Sequence, residues 1–370
     1  MLLKDIKYCY DDIAVKPAVI SHIRHRSECH PFRQMSIGYD DEPTLPIFTA
    51  PMSTVVNEKN FKLFEKHNII PILPRNIDFE TRKKYLKDGK WAAVSLNEFE
   101  ELFVLSKWES NKQTKVLVDI ANGHMASLYS LVKEAKARNK GLIIMAGNVA
   151  NPDTVRHAAM HGVDALRLSI GSGKGCLTSS NSALHYGIAS LIDESYKVAE
   201  QLKKEGIRPP LLIADGGVRN YDDVIKSLAL GSDYVMIGSV LAQLTESAAP
   251  LCYKNMDGDY VEIDEDYDIC ENSSVYLKKS KVYITNPTKL FYGMASKKGQ
   301  IDLNGKKTKT SEGTEKYLPV TTTLEKWSEN MADYMQTAMS YTSIIRIADF
   351  NPNNVDTIIL SPKTRESINK

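Results

Sequence analysis

Eight short apolar runs recur along the first two thirds of the chain, and each predicts a buried β-strand. They are four to six residues long and mostly lack polar alternation, which is typical of strands covered on both faces in a parallel sheet. Eight such strands are the number that closes a (β/α)8 barrel. The runs are Leu45–Ala50, Ile69–Leu73, Trp91–Leu96, Lys115–Ile120, Leu142–Ala146, Ala165–Ile170, Pro210–Ala214 and Tyr234–Ile237.

The segments between these runs predict helices that return the chain to the start of the next strand. They carry apolar residues at helical spacing or open with residues that cap a helix N-terminus. Strands that alternate with helices in this way favour a parallel sheet with helices on its outer face. The predicted helices are Asn57–His67, Asn97–Lys107, Ser127–Asn139, Ser190–Glu205 and Ala242–Glu246.

An internal repeat indicates that one strand–helix unit occurs at least twice. In each copy the asparagine is predicted to cap a helix, the glycine to end it and the last aspartate to precede the next strand. The two copies have identical spacing: Asn151, Asp153, Gly162 and Asp164 in the first, and Asn220, Asp222, Gly231 and Asp233 in the second.

Composition and charge narrow the class of protein. The chain has 370 residues, of which 42% are hydrophobic and 25% charged, as expected of an enzyme-sized globular protein. Its 47 basic and 46 acidic residues nearly balance, so neither a nucleic acid nor an acidic membrane is an expected partner. No apolar N-terminal segment and no apolar run of about 18 residues occurs. We therefore expect a cytoplasmic location.

The cysteines and histidines give no sign of a metal-binding protein. Five of them are scattered along the chain without CxxC spacing, which favours a reducing compartment and argues against a zinc ribbon. His157 and His161 lie four residues apart on a predicted helix, but without a third ligand they are more typical of surface or packing residues.

Chemistry is expected at the C-terminal ends of the strands, where the loops of a barrel build the active site. The sixth run leads into Gly171–Thr178, whose three glycines let the backbone approach a ligand and which contains Cys176. Taken alone, such a segment is more often a flexible surface loop with an incidental thiol. Asp215–Gly217 and Gly238–Ser239 follow the last two runs. Each alone is an ordinary turn, but together they favour a phosphate site.

Five motifs at these strand ends keep the order and spacing of one known family. They are Ala50–Val55, Met145–Val149, Gly171–Thr178, Asp215–Arg219 and Val235–Ser239. Over about residues 11–347 the chain resembles the IMP dehydrogenase and GMP reductase family. The resemblance implies a (β/α)8 TIM barrel, usually tetrameric, in which a cysteine attacks C2 of a purine nucleotide. A hydride then moves between that carbon and a nicotinamide cofactor.

Local features favour the reductase branch of this family. Dehydrogenases usually insert a regulatory CBS domain after the second strand, whereas here only Asn76–Lys90 separates the second and third runs. Dehydrogenases also use an arginine–tyrosine pair on a mobile flap, but no arginine occurs between Arg219 and Arg346. Three segments resemble the reductases instead: Asp119–Gly123, Phe291–Ala295 and Lys309–Gly313.

The favoured prediction is therefore NADPH-dependent reductive deamination of GMP to IMP and ammonia through a purine linked to cysteine. By resemblance, Cys176 adds to C2, while Thr178 and Glu312 move the proton that the leaving ammonia takes. Considered without the family, the last two residues are a loop cap and a solvated carboxylate. Two alternatives stay open: an IMP dehydrogenase that lacks its regulatory domain, converting IMP to XMP with NAD, and a divergent nucleotide-binding relative without catalysis.

The resemblance also assigns binding residues. Those implied for the purine nucleotide are Lys174, Asp215, Gly216, Gly217, Gly238, Ser239, Gly293, Met294, Ala295, Ser311 and Gly313. Those implied for NADPH are Arg26, Arg75, Asp119, Ile120, Ala121, Met294, Lys309, Thr337 and Ser340. A monovalent cation, K+, is assigned to the carbonyls of Gly171, Gly173 and Cys176, since hard cations prefer oxygen ligands.

The chain departs from the family pattern at several places. Leu177–Ser180 stands where the family usually reads Thr-Thr-Arg, and Gln336 replaces a usual arginine. An acidic, tyrosine-rich insertion occupies about residues 253–290. These changes are compatible with a divergent reductase or with a shifted purine substrate. We expect one barrel domain over residues 1–370, with that insertion, a mobile flap at about 295–320 and a C-terminal extension, assembled as a homotetramer.

Overall fold

A computed structural model describes residues 5–37, 42–173, 177–270, 274–306 and 310–368. Its centre is an eight-stranded parallel sheet, and each of the eight predicted runs contributes one strand. After a short strand β1 (Ile13–Val15), the barrel strands are β2 (Ile47–Thr49), β3 (Ile72–Leu73), β4 (Trp91–Val94), β5 (Lys115–Asp119), β6 (Ile143–Val149), β7 (Ala165–Leu168), β8 (Leu211–Asp215) and β9 (Tyr234–Ile237).

Hydrogen bonds around Ile70 close the sheet into a barrel. The strands follow one another in order from β3 to β9, and β9 pairs with β2. Between β2 and β3, the Ile70 N–H donates to the Ile47 carbonyl at 2.9 Å, and the Ile70 carbonyl accepts from the Thr49 N–H at 2.9 Å. The TIM-barrel prediction is confirmed.

Alternate residues of each strand face two different cores, because successive side chains point to opposite faces of a sheet. Along β6, Ile143 and Met145 lie in a cluster built almost entirely from strand residues, which fills the barrel interior. Ile144 and Ala146 belong to the larger cluster that also contains helix residues. The barrel is filled with side chains, so ligands must bind above it.

The helices surround the barrel. Loops and turns joining them to the strands carry most of the residues implied in ligand binding. The α-helices up to the last barrel strand, and the one directly after it, are α1 (Phe61–Lys66), α2 (Phe79–Lys87), α3 (Leu96–Glu100), α4 (Ala126–Arg138), α5 (Thr154–His161), α6 (Thr178–Ser182), α7 (Ile188–Lys204), α8 (Tyr221–Ala229) and α9 (Ser239–Ala242).

The helix predicted over Ala242–Glu246 is wrong in position, since α9 ends at Ala242. The chain after α9 turns away to pair with a distant segment. The Thr245 N–H donates to the Thr322 carbonyl at 3.1 Å, and these backbone groups are therefore not available to extend the helix.

The repeat is confirmed except for one cap. The last aspartate of each copy accepts a hydrogen bond from the N–H of an earlier strand: Asp164 from Ile144 at 2.8 Å and Asp233 from Leu212 at 2.9 Å. Asn220 caps α8 as predicted. In the first copy, however, the residue that precedes α5 is Asp153, so the predicted asparagine cap is wrong there.

Beyond β9 the chain forms two small antiparallel sheets. One has the order β11-β10-β15-β16 and the other β12-β13-β14. The predicted insertion supplies most of these strands. They are β10 (Leu251–Lys254), β11 (Tyr260–Glu262), β12 (Tyr267–Ile269), β13 (Val275–Leu277), β14 (Val282–Ile284), β15 (Thr288–Tyr292) and β16 (Glu315–Pro319).

Three further helices and one strand complete the described chain: α10 (Lys297–Asn304), α11 (Leu324–Tyr341), β17 (Thr357–Ile359) and α12 (Pro362–Ile368). Helix α11 packs against α8, where the rings of Tyr221 and Tyr334 approach to 5.0 Å. Strand β17 pairs with β1. In the described part of the chain, none of the helices has the combined length and apolarity that crossing a bilayer requires.

Candidate active site

A buried arginine joins the C-terminal ends of three barrel strands. Arg167 on β7 is 6% exposed. Its Nη1 donates to Asp119 Oδ1 at 2.7 Å, and its Nη2 donates to Asp215 Oδ2 at 2.8 Å. Asn148 Nδ2 donates to the same Asp215 oxygen at 2.6 Å. Two carboxylates implied in ligand binding are thus held by one guanidinium.

One guanidinium faces two carboxylates in this network. Burial disfavours the Arg167 cation, but the opposing attraction of Asp215 and Asp119 holds the pKa of Arg167 above its ordinary value. A buried ion pair needs partners for every charge. The result is a hydrogen-bonded polar cluster at the C-terminal ends of the strands.

Arg167 and Asn148 are site residues for which no role was predicted from the sequence. A signal for the first was present, because an arginine interrupts an otherwise apolar strand in the run Ala165–Ile170. Charged residues are almost never fully buried unless they are paired. A lone arginine near the end of a buried strand therefore predicts acidic partners on other strands of the same sheet.

The structure brings together part of the group implied for the cofactor. Arg75 Nη1 donates to the Asp119 carbonyl at 3.2 Å. Ile120 and Ala121 follow directly, and the Ile120 carbonyl accepts from the Asn148 N–H at 3.1 Å. This group sits beside the Arg167 network, on the side of the barrel formed by β3 to β6.

A second part of that group lies elsewhere in the chain. Arg26 Nη2 donates to Asp333 at 3.0 Å and its Nη1 donates to Thr337 Oγ1 at 3.3 Å. Ser340 lies one turn further along α11 and donates to the Thr337 carbonyl at 2.9 Å. Because α11 packs outside the barrel against α8, this part is separated from Arg75. Lys309 lies outside the described residues.

The turn implied for the phosphate stands against the glycine-rich loop. Gly216 and Gly217 have positive φ angles of 111° and 78°, which favour glycine. A Cβ on Gly216 would come within 2.6 Å of Ser172 Oγ, and one on Gly217 within 3.3 Å of the Tyr10 ring. At the next strand end, Ser239 opens α9 after Gly238, beside Met52 Sδ. These two turns therefore follow adjacent strands, β8 and β9.

The glycine-rich loop is only partly described. Ser179 Oγ donates to the Ile170 carbonyl at 3.3 Å and packs against Gly171, where an added Cβ would overlap it. Lys174 and Cys176 lie outside the described residues. The proposed cation ligands Gly171 and Gly173 are described, but the third is that same cysteine. Among the described side chains, no cluster of three or more His, Cys, Asp or Glu suits a metal.

The hydroxyl and carboxylate implied in proton transfer lie together. Thr178 Oγ1 donates to Glu312 Oε2 at 3.3 Å. The backbone joins the same two segments, since the Leu177 N–H donates to the Glu312 carbonyl at 2.7 Å. Residues 134 positions apart in sequence are therefore in contact, immediately after the loop that contains the cysteine.

The segment implied for the purine base follows β15. The Gly293 N–H donates to the Thr314 carbonyl at 3.3 Å, and the Glu312 N–H donates to the Ala295 carbonyl at 3.0 Å. Ser53 Oγ lies 3.8 Å from Met294 Sδ. Ser311 Oγ donates to the Gly313 carbonyl at 3.0 Å. The segment therefore lies between the end of β2 and the Thr178–Glu312 pair.

Comparisons with known proteins identify the family of this chain. Residues 7–368 match the IMP dehydrogenase / GMP reductase domain family. A GMP reductase from Exiguobacterium sp. is 31% identical over 250 residues, which cover 66% of this chain and 73% of that protein. A GMP reductase from Staphylococcus aureus (strain Newman) is 32% identical over 246 residues, covering 64% of this chain and 72% of the relative. The chain belongs to the IMP dehydrogenase / GMP reductase family, whose members are purine nucleotide oxidoreductases.

Proposed function

We propose that this protein is an NADPH-dependent GMP reductase, which converts GMP to IMP and ammonia. The observation that carries the proposal is the 3.3 Å contact between Thr178 Oγ1 and Glu312 Oε2. A hydroxyl within hydrogen-bond reach of a carboxylate can pass a proton to a leaving amine. The absence of an arginine from residues 220–345 and the similarity to GMP reductases give further support.

The chemistry begins at Cys176, whose thiolate forms a bond to C2 of the purine while N3 takes a proton. The C2–amine bond then breaks, and the departing nitrogen takes a proton from Glu312 through the Thr178 hydroxyl. When bound, the cofactor NADPH would supply the hydride that C2 then needs. The C2–sulfur bond breaks last: the sulfur leaves with the electron pair as thiolate, N3 returns its proton to solvent, and IMP is released with its C2–N3 double bond restored.

The Arg167 network prepares the substrate site. Asp215 Oδ2 accepts from the guanidinium and from Asn148. Among the described residues nothing donates to its other oxygen, which suits a ribose hydroxyl. Gly217, Gly238 and Ser239 would hold the phosphate with backbone N–H groups. Lys174 would add a positive charge there.

The cofactor residues fit NADPH only if two copies of the chain contribute. Arg75 and Asp119 suit a nicotinamide ribose and phosphates, whereas Thr337 and Ser340 lie outside the barrel on α11, where Arg26 donates to Thr337. A homotetramer would let one copy complete the cofactor site of the next. In the segment that precedes Arg26, Val19 is 97% exposed and Ile20 is 68% exposed. Adjacent exposed apolar residues of this kind suit an interface between copies.

A K+ ion would rest on the carbonyls of Gly171, Gly173 and Cys176. The positive φ of 75° at Gly171 is compatible with a loop that turns its carbonyls toward one point. The ion would fix the loop around the nucleophile, because bare carbonyl oxygens pointing to one centre repel each other without a cation.

Product analysis tests the proposal. Purified protein supplied with GMP and NADPH should release IMP, ammonia and NADP+ in equal amounts, as measured by chromatography and an ammonia assay. Glu312→Gln should slow ammonia release by about a hundredfold or more, since a positioned acid contributes at least that much. Formation of XMP from IMP and NAD+ would assign the chain to the dehydrogenase branch. Nucleotide binding with no product from either substrate pair would refute catalysis.

A further inference from the structure

Three hydroxyl and carboxylate groups meet where the barrel, the insertion sheet and α10 come together. Ser53 follows β2, Tyr292 ends β15 and Asp302 lies on α10. The Tyr292 hydroxyl donates to Asp302 Oδ2. Ser53 Oγ also donates to Asp302 Oδ2, at 3.1 Å. One carboxylate oxygen thus accepts from two structural units.

The direction of these hydrogen bonds follows from the chemistry of the groups. An ionised carboxylate only accepts, and each hydroxyl has a single hydrogen. Ser53 has other acceptors within reach, Tyr292 Oη at 3.3 Å and Met294 Sδ at 3.8 Å, but the charged oxygen is both nearest and strongest. Burial, and next the bond to Asp302, raise the pKa of Tyr292, so its hydroxyl keeps the hydrogen that it donates.

Helix α10 is fixed at its other end to the segment implied for the purine base. The Ser296 N–H donates to the Gly293 carbonyl at 2.9 Å, and Gln300 Nε2 donates to the Ala295 carbonyl at 3.2 Å. Gly299 lies so close that a Cβ would come within 2.5 Å of the Gly293 carbonyl. Any movement of α10 must therefore move Gly293 and Ala295 with it.

The same segment supports the proton-transfer pair. The Ala295 carbonyl accepts from the Glu312 N–H at 3.0 Å, and the Glu312 side chain accepts from Thr178 at 3.3 Å. A continuous set of contacts therefore runs from Asp302 through α10 and Ala295 to Glu312. Within it, Asp302 is the residue that ties α10 to the barrel.

We propose that Asp302 is a positioning residue, which anchors α10 to Ser53 and Tyr292 and so holds Glu312 at Thr178. Its effect on catalysis rests on the proposed function, whereas the anchoring itself does not. A positioning role of this kind predicts a loss in kcat more than in KM, because small displacements of reacting groups have large effects on rate.

Hydrogen–deuterium exchange without nucleotide tests the anchoring. In Asp302→Ala, amides of α10 and the Glu312 amide should exchange about tenfold faster than in wild type, because their local opening becomes easier. Asp302→Asn keeps one acceptor oxygen, so its exchange rates should lie between those of wild type and Asp302→Ala. The control is Lys297→Ala, at an exposed position on the same helix, which should match wild type. Unchanged exchange in Asp302→Ala would overturn the proposal.

Steady-state kinetics with GMP and NADPH test the consequence. Asp302→Ala should lower kcat by about tenfold while the KM for GMP changes by less than about threefold. Tyr292→Phe should also lower kcat. The variant that combines Asp302→Ala with Tyr292→Phe should lose less of its kcat than the product of the two separate fold-losses, because both substitutions remove the same interaction. A kcat equal to that of Lys297→Ala would refute positioning. If wild type itself does not reduce GMP, the proposed function fails, and exchange at Glu312 alone decides on the anchoring.

Discussion

At the scale of single residues, Arg167 determines the arrangement of the site. It reaches from the end of β7 to carboxylates at the ends of β5 and β8, and its side chain is 8% exposed. The two aspartates are implied to hold ribose hydroxyls of two different ligands. One cation therefore bonds to both of the carboxylates that we propose for substrate and cofactor.

Replacement of Arg167 by leucine should be strongly destabilising. It leaves Asp119 and Asp215 without their counter-charge, and breaking a buried pair in this way typically costs about 3–5 kcal/mol. Arg167→Lys should recover part of this, since an ammonium reaches one carboxylate but not both in a fork. The measurement is the free energy of unfolding from urea denaturation.

A matched control for that variant is Arg346→Leu. Arg346 pairs with Asp349 at 2.8 Å, but its side chain is 72% exposed, and such surface pairs contribute about 1 kcal/mol or less. Equal losses in the two leucine variants would contradict the structural role assigned to Arg167.

At the scale of elements, the antiparallel sheet β11-β10-β15-β16 contains a buried lysine. Lys289 on β15 is 1% exposed, and its ammonium donates to the carbonyls of Ala249 at 3.1 Å and Ser247 at 3.3 Å. Burial lowers the pKa of Lys289 to about 8, although Glu246 and Cys252 oppose this shift. Strand β15, which ends at Tyr292, therefore carries an amine with a pKa of about 8.

The stability of the protein should therefore rise with pH through this window. A lysine with a folded pKa below its unfolded value binds protons more weakly in the folded state, so its contribution is complete above the unfolded pKa of 10.5 and lost as pH falls toward 8. Relative to Lys289→Met, wild type should gain about 3 kcal/mol between those limits. Thermal unfolding of both proteins from pH 7 to pH 10.5 measures the difference. A difference independent of pH would contradict the assignment.

At the scale of the whole molecule, the strands of the barrel could be predicted from the sequence, but the contacts at their C-terminal ends could not. Each apolar run specified a buried strand by its own composition, so all eight could be located. The contact of Asp302 with Ser53 depends on how distant segments meet, and no local pattern encodes that. An arginine within an apolar strand indicates that Arg167 has acidic partners, but it does not indicate which residues they are. The Thr178–Glu312 contact was expected only through family resemblance, because the residues alone are unremarkable. The cap predicted at Asn151 failed since two residues of turn precede α5.

The proposed tetramer makes a prediction about mixed assemblies. If one copy supplies Arg75 and the next supplies Arg26 to each cofactor site, then Arg75→Ala and Arg26→Ala should each be weak enzymes with NADPH. The two variants should be mixed in equal amounts, unfolded and refolded together. The mixed assemblies should regain about a quarter of the wild-type rate, because about a quarter of the interfaces then combine an intact Arg75 from one copy with an intact Arg26 from the next. Activity that stays at the mean of the two variants would contradict a shared site.

The most direct test of the account is the nicotinamide absorbance of NADPH mixed with purified protein and GMP. We predict a steady loss of that absorbance in wild type, none without GMP, and none in Cys176→Ala, since the thiolate must form the bond to C2 before hydride is received. A matched Cys252→Ala variant, at a cysteine buried in the antiparallel sheet, should behave as wild type. Loss of absorbance that persists in Cys176→Ala, or gain of absorbance with IMP and NAD+ in its place, would contradict the proposed reaction.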